Sequence, residues 1–229
     1  MDFAPTEDQR ILRDAVERFM RLECPPEKVR QWDNEGLFPE PLHAAMADAG
    51  FFSMMVPVEY GGMGSPMADC VVLFEEVSRP SVDFGTRIAL QAWGALILAD
   101  FASEEIKGEI LPEVAGGRAK LSFSLTEPQS GSDAAALATR ARRDGDDWLI
   151  SGQKLFSSGA DAANNKMIVA VRTGKGASRH QGISLFLVPN DAPGVTLRKL
   201  DVIGRRVLGL NEVFFDDVVV PDDDVVGPV

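Results

Sequence analysis

The sequence contains few of the residues on which disulfide, metal and nucleophilic sites usually depend. Of its 229 residues, only Cys24 and Cys70 are cysteines, and only His43 and His180 are histidines. Two widely spaced cysteines do not make a disulfide framework or a thiolate metal site. Neither histidine has the spacing of a Ser-His-Asp triad or of a metal-ligand cluster. Both are therefore predicted to be structural or surface residues, and no metal is expected.

Basic residues and long apolar runs are also scarce. A formal net charge of -12 argues against nucleic acid and against anionic membrane surfaces as partners. The longest apolar candidate, ALILADFA, is interrupted by Asp100 and is much shorter than a membrane span. The first residues, MDFAPTEDQR, are acidic and lack the basic and apolar regions of a signal peptide. The expected location is the cytoplasm.

The first half of the chain has the periodicity of amphipathic helices. Thr6 and Gln9 have the spacing of a capping box, and the helix that follows is predicted to stop at Pro25 and Pro26. Further helices are expected at Pro39–Ala49, from an N-cap at Ser65 to Arg79, near residues 84–101, and from Ser103 to about Gly116.

After Gly117 the hydrophobic period changes to two. Eight short β-branched or aromatic runs follow, separated by Gly, Asp, Asn or Pro. Such spacing is typical of a closed or nearly closed antiparallel barrel. The predicted fold class is therefore a two-domain α+β protein. An all-α helical domain at residues 1–117 is followed by an antiparallel β-barrel domain at residues 118–229.

Two polar segments of the predicted barrel suit a bound nucleotide. In LTEPQSGSD (residues 125–133), Gly131 allows close backbone approach, and the flanking serines offer hydroxyls beside amide N–H groups, a good arrangement for phosphate oxygens. In GQKLFSSGA, Phe156 precedes Ser157 and Ser158, so that a ring and two hydroxyls fall together. Periodicity alone favours the alternative, in which these residues are ordinary turn formers and a core phenylalanine.

A longer pattern decides between the two interpretations. The stretch 121–160, LSFSLTEPQSGSDAAALATRARRDGDDWLISGQKLFSSGA, closely resembles the middle-domain signature of the acyl-CoA dehydrogenase family. That signature has a T-E-P-x-x-G-S-D loop, a Thr-containing strand, an x-G-x-K hairpin and an aromatic residue before Ser or Thr. FFSMMVPVEYGGMG, SEEIKGEILPEVAGG and DDVVVPDDDVVG also look like family segments. The resemblance covers essentially the whole chain in order.

The resemblance implies that the barrel holds FAD and that an acyl-CoA thioester lies beside the flavin. By analogy with the family, Phe123, Leu125 and Thr126 would line the flavin ring. Thr126 would form a hydrogen bond with its pyrimidine edge.

Further positions follow from the same resemblance. Gly131 and Ser132 would contact the FAD pyrophosphate, and Ser132 would also lie close to the acyl-CoA. Phe156, where the family frequently has Trp, would stack near the isoalloxazine. Ser157 and Ser158 would approach the polar edge near N5, where hydrogen bonds tune the flavin.

The family pattern continues into a C-terminal helical domain that this sequence does not show. In the family, that domain contributes the catalytic glutamate, part of the FAD site and most of the tetramer interface. No carboxylate here matches that base, because Glu127 belongs to the loop motif, and Glu75, Glu76, Glu104 and Glu105 occupy predicted helices. No catalytic residue is assigned. The chain is expected to be a fragment, a split-gene product or a non-catalytic subunit.

The activity implied is FAD-dependent α,β-dehydrogenation of an acyl-CoA, as in fatty acid β-oxidation. The implied partners are the acyl-CoA substrate, a homo- or hetero-oligomer with a chain that supplies the C-terminal domain, and an electron-transfer flavoprotein. Two alternatives stay open: a non-catalytic partner subunit, and an acyl-CoA oxidase or flavin monooxygenase of the same fold. Phe84, Leu90 and Trp93 suit either a substrate pocket or the core, so acyl chain length is not predicted.

Overall fold

The computed structural model describes residues 4–174 and 178–229, in which six α-helices precede eight β-strands. The helices are α1 (Glu7–Glu23), α2 (Pro26–Glu35), α3 (Glu40–Asp48), α4 (Met67–Ser78), α5 (Val82–Phe101) and α6 (Glu104–Ala115). The predicted α+β fold class, an all-α part followed by an antiparallel β-barrel, is confirmed as six helices followed by a mostly antiparallel eight-stranded sheet. None of the helices in the described ranges has the length and apolar composition that crossing a membrane requires.

Two predictions extend beyond the described residues. Residues 1–3 begin the acidic segment that was compared with a signal peptide, and residues 176–177 belong to the loop in which His180 was placed. The rest of both segments is described.

Helix α1 begins as its sequence predicts. The Gln9 backbone N–H donates to Thr6 Oγ1 at 3.2 Å, and the Thr6 N–H donates to Gln9 Oε1 at 3.1 Å, so the capping box is complete. Helix α2 is absent from the sequence-based prediction, which uses Pro25 and Pro26 only as a stop. Pro26 is instead the first residue of α2, where its missing N–H costs no hydrogen bond. Helix α4 begins later than predicted, with Pro66 rather than Ser65 as its N-cap.

The strands form one sheet. Their bounds are β1 (Lys120–Ser124), β2 (Arg140–Asp144), β3 (Asp147–Ser158), β4 (Asn165–Arg172), β5 (Ile183–Pro189), β6 (Val195–Lys199), β7 (Leu210–Pro221) and β8 (Val225–Val226). The strand order is β6-β7-β3-β2-β4-β5-β8, and β1 pairs with β4. Pairing is antiparallel except between β1 and β4 and between β2 and β4. Strand runs alone did not reveal these two parallel pairs.

Strand β3 joins two runs, DWLIS and KLFSS, that were predicted as separate strands. The chain stays extended through Gly152, where φ is +148° and a Cβ would lie only 2.6 Å from Thr139 Oγ1. The register against β7 shifts there and again between Lys154 and Ser157. Each shift marks a β-bulge, which bends the strand without ending it. The second bulge contains Phe156.

Helix α5 connects the helices to the sheet. Gln91, 1% exposed, donates to Leu121 O at 3.2 Å and accepts from Leu121 N at 2.8 Å. Gly94 lies so close to β1 that a Cβ would come within 2.5 Å of Leu121 Cδ1. Around these contacts, α5, α6, β1, β4 and β5 share a buried apolar core that includes Ala95, Leu98, Ile106, Leu111, Ile168 and Leu187. The position of α5 relative to β1 is thus fixed by packing and by hydrogen bonds.

Candidate functional site

An open cavity of 360 Å³ lies between α5 and the segments that include β1 and the end of β3. Helix α5 lines it with Leu90, Trp93 and Ile97. The lining residues from the sheet side are Phe123, Leu125, Thr126, Leu155, Phe156 and Ser158. Five of the eight residues predicted to bind a cofactor therefore lie around one cavity, although they come from two segments separated by more than one strand.

The cavity is apolar with hydroxyl groups at its rim. Trp93 is 51% exposed and Phe156 is 55% exposed, which is unusual for aromatic side chains of this size. Thr126 and Ser158 supply the side-chain hydroxyls of the lining. Grouped exposed apolar side chains mark binding surfaces. This combination suits a flat aromatic ligand with polar atoms along its edge.

The backbone of Phe156 is strained. Its φ of +62° lies in the left-handed region, which a bulky residue rarely adopts and which costs about 1–2 kcal/mol. The residue occupies the β3 bulge, which turns its ring out to the cavity rim. Such strain persists when the surrounding structure fixes it, and it is concentrated at functional sites.

The two serines after Phe156 have different environments. Ser158 lines the cavity, whereas Ser157 is 1% exposed and does not. The hydroxyl of Ser157 forms a 2.8 Å hydrogen bond with Ser124 Oγ on β1. That contact ties β1 to β3 beneath the cavity. The predicted contact of Ser157 with a cofactor stays a prediction.

Gly131 and Ser132 directly follow a tight turn at residues 127–130 and lie apart from the lining of the cavity. Glu127 and Ser130 exchange backbone hydrogen bonds of 2.8 and 3.1 Å across this turn. Ser130 Oγ also donates to the Asp133 carbonyl oxygen at 2.7 Å. A Cβ on Gly131 would meet no atom within 4 Å, and Ser132 is exposed. The segment at Gly131 and Ser132 is open to a ligand, and its predicted phosphate contacts remain predictions.

Of the three residues considered for a substrate pocket, two lie at the cavity. Leu90 and Trp93 line it. Phe84 is fully buried among the helices, within 5.9 Å of the Trp32 ring and 5.8 Å of the Phe38 ring, centroid to centroid. Phe84 is therefore a core residue.

A buried ion pair connects two parts of the cavity wall, the segment 125–127 and strand β3. Lys154 Nζ donates to Glu127 Oε1 at 2.7 Å and to the Leu125 carbonyl oxygen at 3.1 Å. The side chains of Lys154 and Glu127 are 0% and 2% exposed. Next to the pair, Leu155 N donates to the Thr126 carbonyl oxygen at 2.8 Å. These contacts fasten the segment 125–127 to β3.

Hydrogen bonds keep Glu127 ionised. Its carboxylate also accepts from Ala138 N at 2.6 Å, Thr139 N at 2.9 Å and Gln129 Nε2 at 2.7 Å. Burial raises the pKa of Glu127, but the hydrogen bonds from Lys154, Thr139 and Ala138 lower it by more, and the pKa falls to about 2. A carboxylate with so low a pKa is a weak proton acceptor at neutral pH. Its role in the site is to hold the loop.

From the sequence, Glu127 is named only as a member of the loop motif, and Lys154 is not named at all. The available signal was the x-G-x-K hairpin, in which Lys154 stands two residues after Gly152. Lys154 stands in a strand run that includes Leu155 and Phe156. If the lysine of such a run is buried, it requires an acidic partner, and that requirement was the signal for an ion pair.

Comparison with known proteins identifies the family of the chain. Residues 6–118 match the acyl-CoA dehydrogenase N-terminal domain, and residues 122–218 match the acyl-CoA dehydrogenase middle domain. The two matches together include most of the chain. The chain belongs to the acyl-CoA dehydrogenase family.

Individual relatives extend the likeness over the full length of the chain. It is 34% identical over 229 residues to the "Probable acyl-CoA dehydrogenase YngJ" of Bacillus subtilis, covering 99% of this chain and 60% of that protein. It is 31% identical over 232 residues to the glutaryl-CoA dehydrogenase of Desulfococcus multivorans, covering 99% of this chain and 59% of that protein. The chain thus spans 60% or less of the length of these curated relatives.

A solved structure agrees as well. A glutaryl-CoA dehydrogenase of Mycobacterium smegmatis, in complex with FADH2, superposes with a TM-score of 0.89 at 28% identity. The superposition covers 98% of this chain and 56% of that one. The helices and the sheet are therefore arranged in this chain as in that enzyme.

Proposed function

We propose that this chain provides the FAD- and acyl-CoA-binding part of an enzyme that dehydrogenates an acyl-CoA thioester between its α and β carbons. The observation that carries the proposal is the apolar cavity with Trp93 and Phe156 on its walls and Thr126 and Ser158 at its rim. Family membership and the FADH2-bound relative support the choice of cofactor.

The residues of the cavity fit a flavin ring. Apolar side chains suit the ring faces, and the Thr126 and Ser158 hydroxyls suit its polar edge, as the family resemblance predicts. Phe123, Leu125 and Phe156 would contact the ring. FAD, when bound, supplies the acceptor for the hydride that leaves the β carbon.

The remaining predicted contacts belong to the same proposal. The open segment at Gly131 and Ser132 would hold the pyrophosphate, with Ser132 also beside the acyl-CoA. Ser157 would act through its backbone, because its hydroxyl bonds Ser124. The helical part at residues 1–117 and the β part at residues 118–229 would then act as two domains that share the site through α5.

The residues that line the cavity, within the described ranges, include no carboxylate that could take the α proton. We propose that this group comes from another segment or another chain, in a homo- or hetero-oligomer. If the enzyme is a dehydrogenase, an electron-transfer flavoprotein would reoxidise its flavin. If it is an oxidase, oxygen would do so. The location proposed for such an enzyme is the cytoplasm.

The test is anaerobic reduction of the protein-bound flavin by acyl-CoA thioesters. The purified protein is loaded with FAD, and absorbance near the flavin maximum is followed after addition of glutaryl-CoA or of saturated acyl-CoAs of increasing length. Bleaching by one of them supports the dehydrogenase. Rapid recovery on admitting air would favour the oxidase, and slow recovery that an electron-transfer flavoprotein accelerates would favour the dehydrogenase.

The second candidate is a partner subunit without its own catalysis, which the absence of a lining carboxylate favours. It predicts that FAD and acyl-CoA bind but the flavin stays oxidised. Bleaching in a mixture with a complete family member that exceeds the bleaching of that family member alone would support this candidate. Failure to bind FAD at all would contradict both candidates.

A further inference from the structure

A second cavity lies at Arg87, outside the lining of the candidate flavin site. Its volume is 240 Å³, and its lining includes Gly36, Phe38, Glu40, Arg87, Asp161 and Lys199. It shares no lining residue with the first cavity. Arg87 is 1% exposed, whereas Asp161 and Lys199 are exposed, so the cavity opens at those two residues and reaches inward to the guanidinium.

The guanidinium of Arg87 has no polar partner in the part of the chain that the structure describes. Its Nε and Nη1 atoms are buried without a hydrogen bond, and it forms no ion pair with any residue that the structure describes. Its one assigned contact is with the Phe38 ring, whose centroid is 4.9 Å from Cζ. A cation–π contact supplies part of the charge stabilisation but leaves the donor hydrogens unused.

Two acidic residues that line the cavity have other partners. Glu40 accepts a hydrogen bond from Lys120 Nζ at 2.9 Å. Asp161 Oδ1 accepts from Asn211 Nδ2 at 2.9 Å. In these positions neither carboxylate forms an ion pair with Arg87, although both attract its charge.

Asp83, one helical turn before Arg87 on α5, is also occupied. Its Oδ2 accepts from the backbone N–H groups of Val207 and Leu208 at 3.0 and 3.3 Å. Its Oδ1 is buried without a partner. A carboxylate that is held by the backbone of another segment forms no ion pair with Arg87 here, so the helix itself does not neutralise the cation.

Arg87 nevertheless carries its charge. Burial lowers its pKa to about 10, which leaves the guanidinium protonated at neutral pH. The carboxylates of Glu40 and Asp161 attract this charge from a distance, but neither forms an ion pair with it. A buried cation without a directly paired counter-ion is unfavourable, and an anionic ligand could supply the missing partner.

We propose that the Arg87 cavity binds a small oxyanion, with a carboxylate or phosphate group held on the edge of the guanidinium. A guanidinium presents pairs of parallel N–H donors that match two oxygens of such groups. Lys199 at the mouth donates to the Gly36 carbonyl oxygen at 2.5 Å, and two of its three ammonium hydrogens are left for the anion. The volume of the cavity accommodates an ion of the size of phosphate or acetate.

The test measures thermal unfolding and calorimetric binding with inorganic phosphate and with acetate, against chloride at equal ionic strength. At tenfold the dissociation constant, the bound anion should raise the unfolding midpoint by about 3–6 °C. Arg87→Met should weaken binding by about ten- to hundredfold, since hydrogen bonds to charged groups are lost. Arg140→Met, which removes an exposed arginine on β2, should change nothing.

Two more variants keep the proposal testable if Arg87→Met folds poorly. Arg87→Lys retains the charge but loses the paired donors, so it should bind the anion more weakly than the wild type does. Asp161→Asn removes a negative charge from the mouth and should bind the anion more tightly. Without any oxyanion, Arg87→Met should be at least as stable as the wild type, because an uncompensated buried cation is gone.

Saturable binding of phosphate alone identifies a phosphate ligand, and binding of acetate alone identifies a carboxylate. The proposal is overturned if neither anion gives a saturable shift, as for a cavity that holds only water. It is also overturned if the shift survives in Arg87→Met, or if Arg87→Met is much less stable than the wild type without oxyanion. The last result would mean that Asp83 or another group already compensates the charge.

Discussion

Removing one member of the Glu127–Lys154 pair should destabilise the protein far more than removing both. Lys154→Met leaves a carboxylate that is 2% exposed without its cation. Glu127→Gln leaves a fully buried ammonium with neutral acceptors only, the Leu125 carbonyl oxygen and the new amide oxygen, and no counter-charge. Each single variant is expected to lose about 3–5 kcal/mol of unfolding free energy. The double variant replaces both charges by neutral groups of similar size and should lose much less.

The pKa of Glu127 gives an independent magnitude. A fall from 4.5 to about 2 corresponds to about 3 kcal/mol in favour of the charged form in the folded protein. Because the folded-state pKa lies below the ordinary one, the unfolded chain takes up a proton first as the pH decreases. The contribution of Glu127 to stability is therefore present above about pH 5 and is lost as the pH falls from 4.5 toward 2.

Urea unfolding at pH 7 of the wild type, both single variants and the double variant measures the coupling energy in a closed cycle. The expected coupling is about 3 kcal/mol. A coupling below about 0.5 kcal/mol would show that the pair behaves like an exposed ion pair, and the reasoning from burial would be refuted. Ser151, whose hydroxyl contacts Asp217 on the exposed side of β3, gives a control in Ser151→Ala with a small effect.

Three further predictions concern other positions. Burial lowers the pKa of His43 to about 4, so the unfolded chain binds a proton before the folded protein does as the pH decreases from 6.5 to 4. The unfolding free energy measured in urea should therefore fall by about 2 kcal/mol between pH 7 and pH 5. His43→Gln, which retains a donor for Gly117 O, should remove most of that dependence. Phe156→Gly relieves a left-handed φ, so the unfolding free energy should change by less than about 1 kcal/mol, while the FAD dissociation constant in a fluorescence titration rises about three- to tenfold. Gln91→Leu leaves the Leu121 N–H and carbonyl oxygen without partners and should lower the unfolding free energy, measured by thermal unfolding, by about 2–4 kcal/mol. A much smaller loss would mean that water replaces both hydrogen bonds.

Local signals in the sequence were sufficient for the order of elements. The capping box at Thr6 and the change from helical to alternating period after Gly117 depend on residues that are close in the chain. The same is true of the hairpin turn at Gly145, where φ is +64° and β2 meets β3. Helix α2 was missed because Pro26 has two opposite meanings, a helix stop or a first helical residue, which only tertiary packing distinguishes.

The hydrophobic pattern of the sequence did not predict strand features that depend on residues far apart in the chain. The continuity of β3 through Gly152 depends on the close approach of Thr139, and the parallel pairing of β1 with β4 depends on how the sheet closes over α5. Neither is encoded within one strand.

For the site, the family resemblance named residues that the structure brings around one cavity, including Thr126, Phe156 and Ser158. The buried ion pair that holds the cavity wall was not predicted, because Glu127 and Lys154 are 27 positions apart in the sequence. Arg87 was missed for the same reason: in the sequence it is one charge in a helix, and only burial shows that it lacks a partner.

The most direct test of the candidate flavin site is the FAD dissociation constant of Thr126→Val compared with that of the wild type. Valine keeps the shape of threonine and removes only the hydroxyl at the cavity rim, and Thr196→Val on the exposed face of β6 serves as the matched control. We expect one FAD to bind per chain, about five- to tenfold more weakly in Thr126→Val and unchanged in Thr196→Val. Equal affinity in all three proteins, or no binding of FAD to the wild type, would contradict a flavin site in the cavity between α5 and β3.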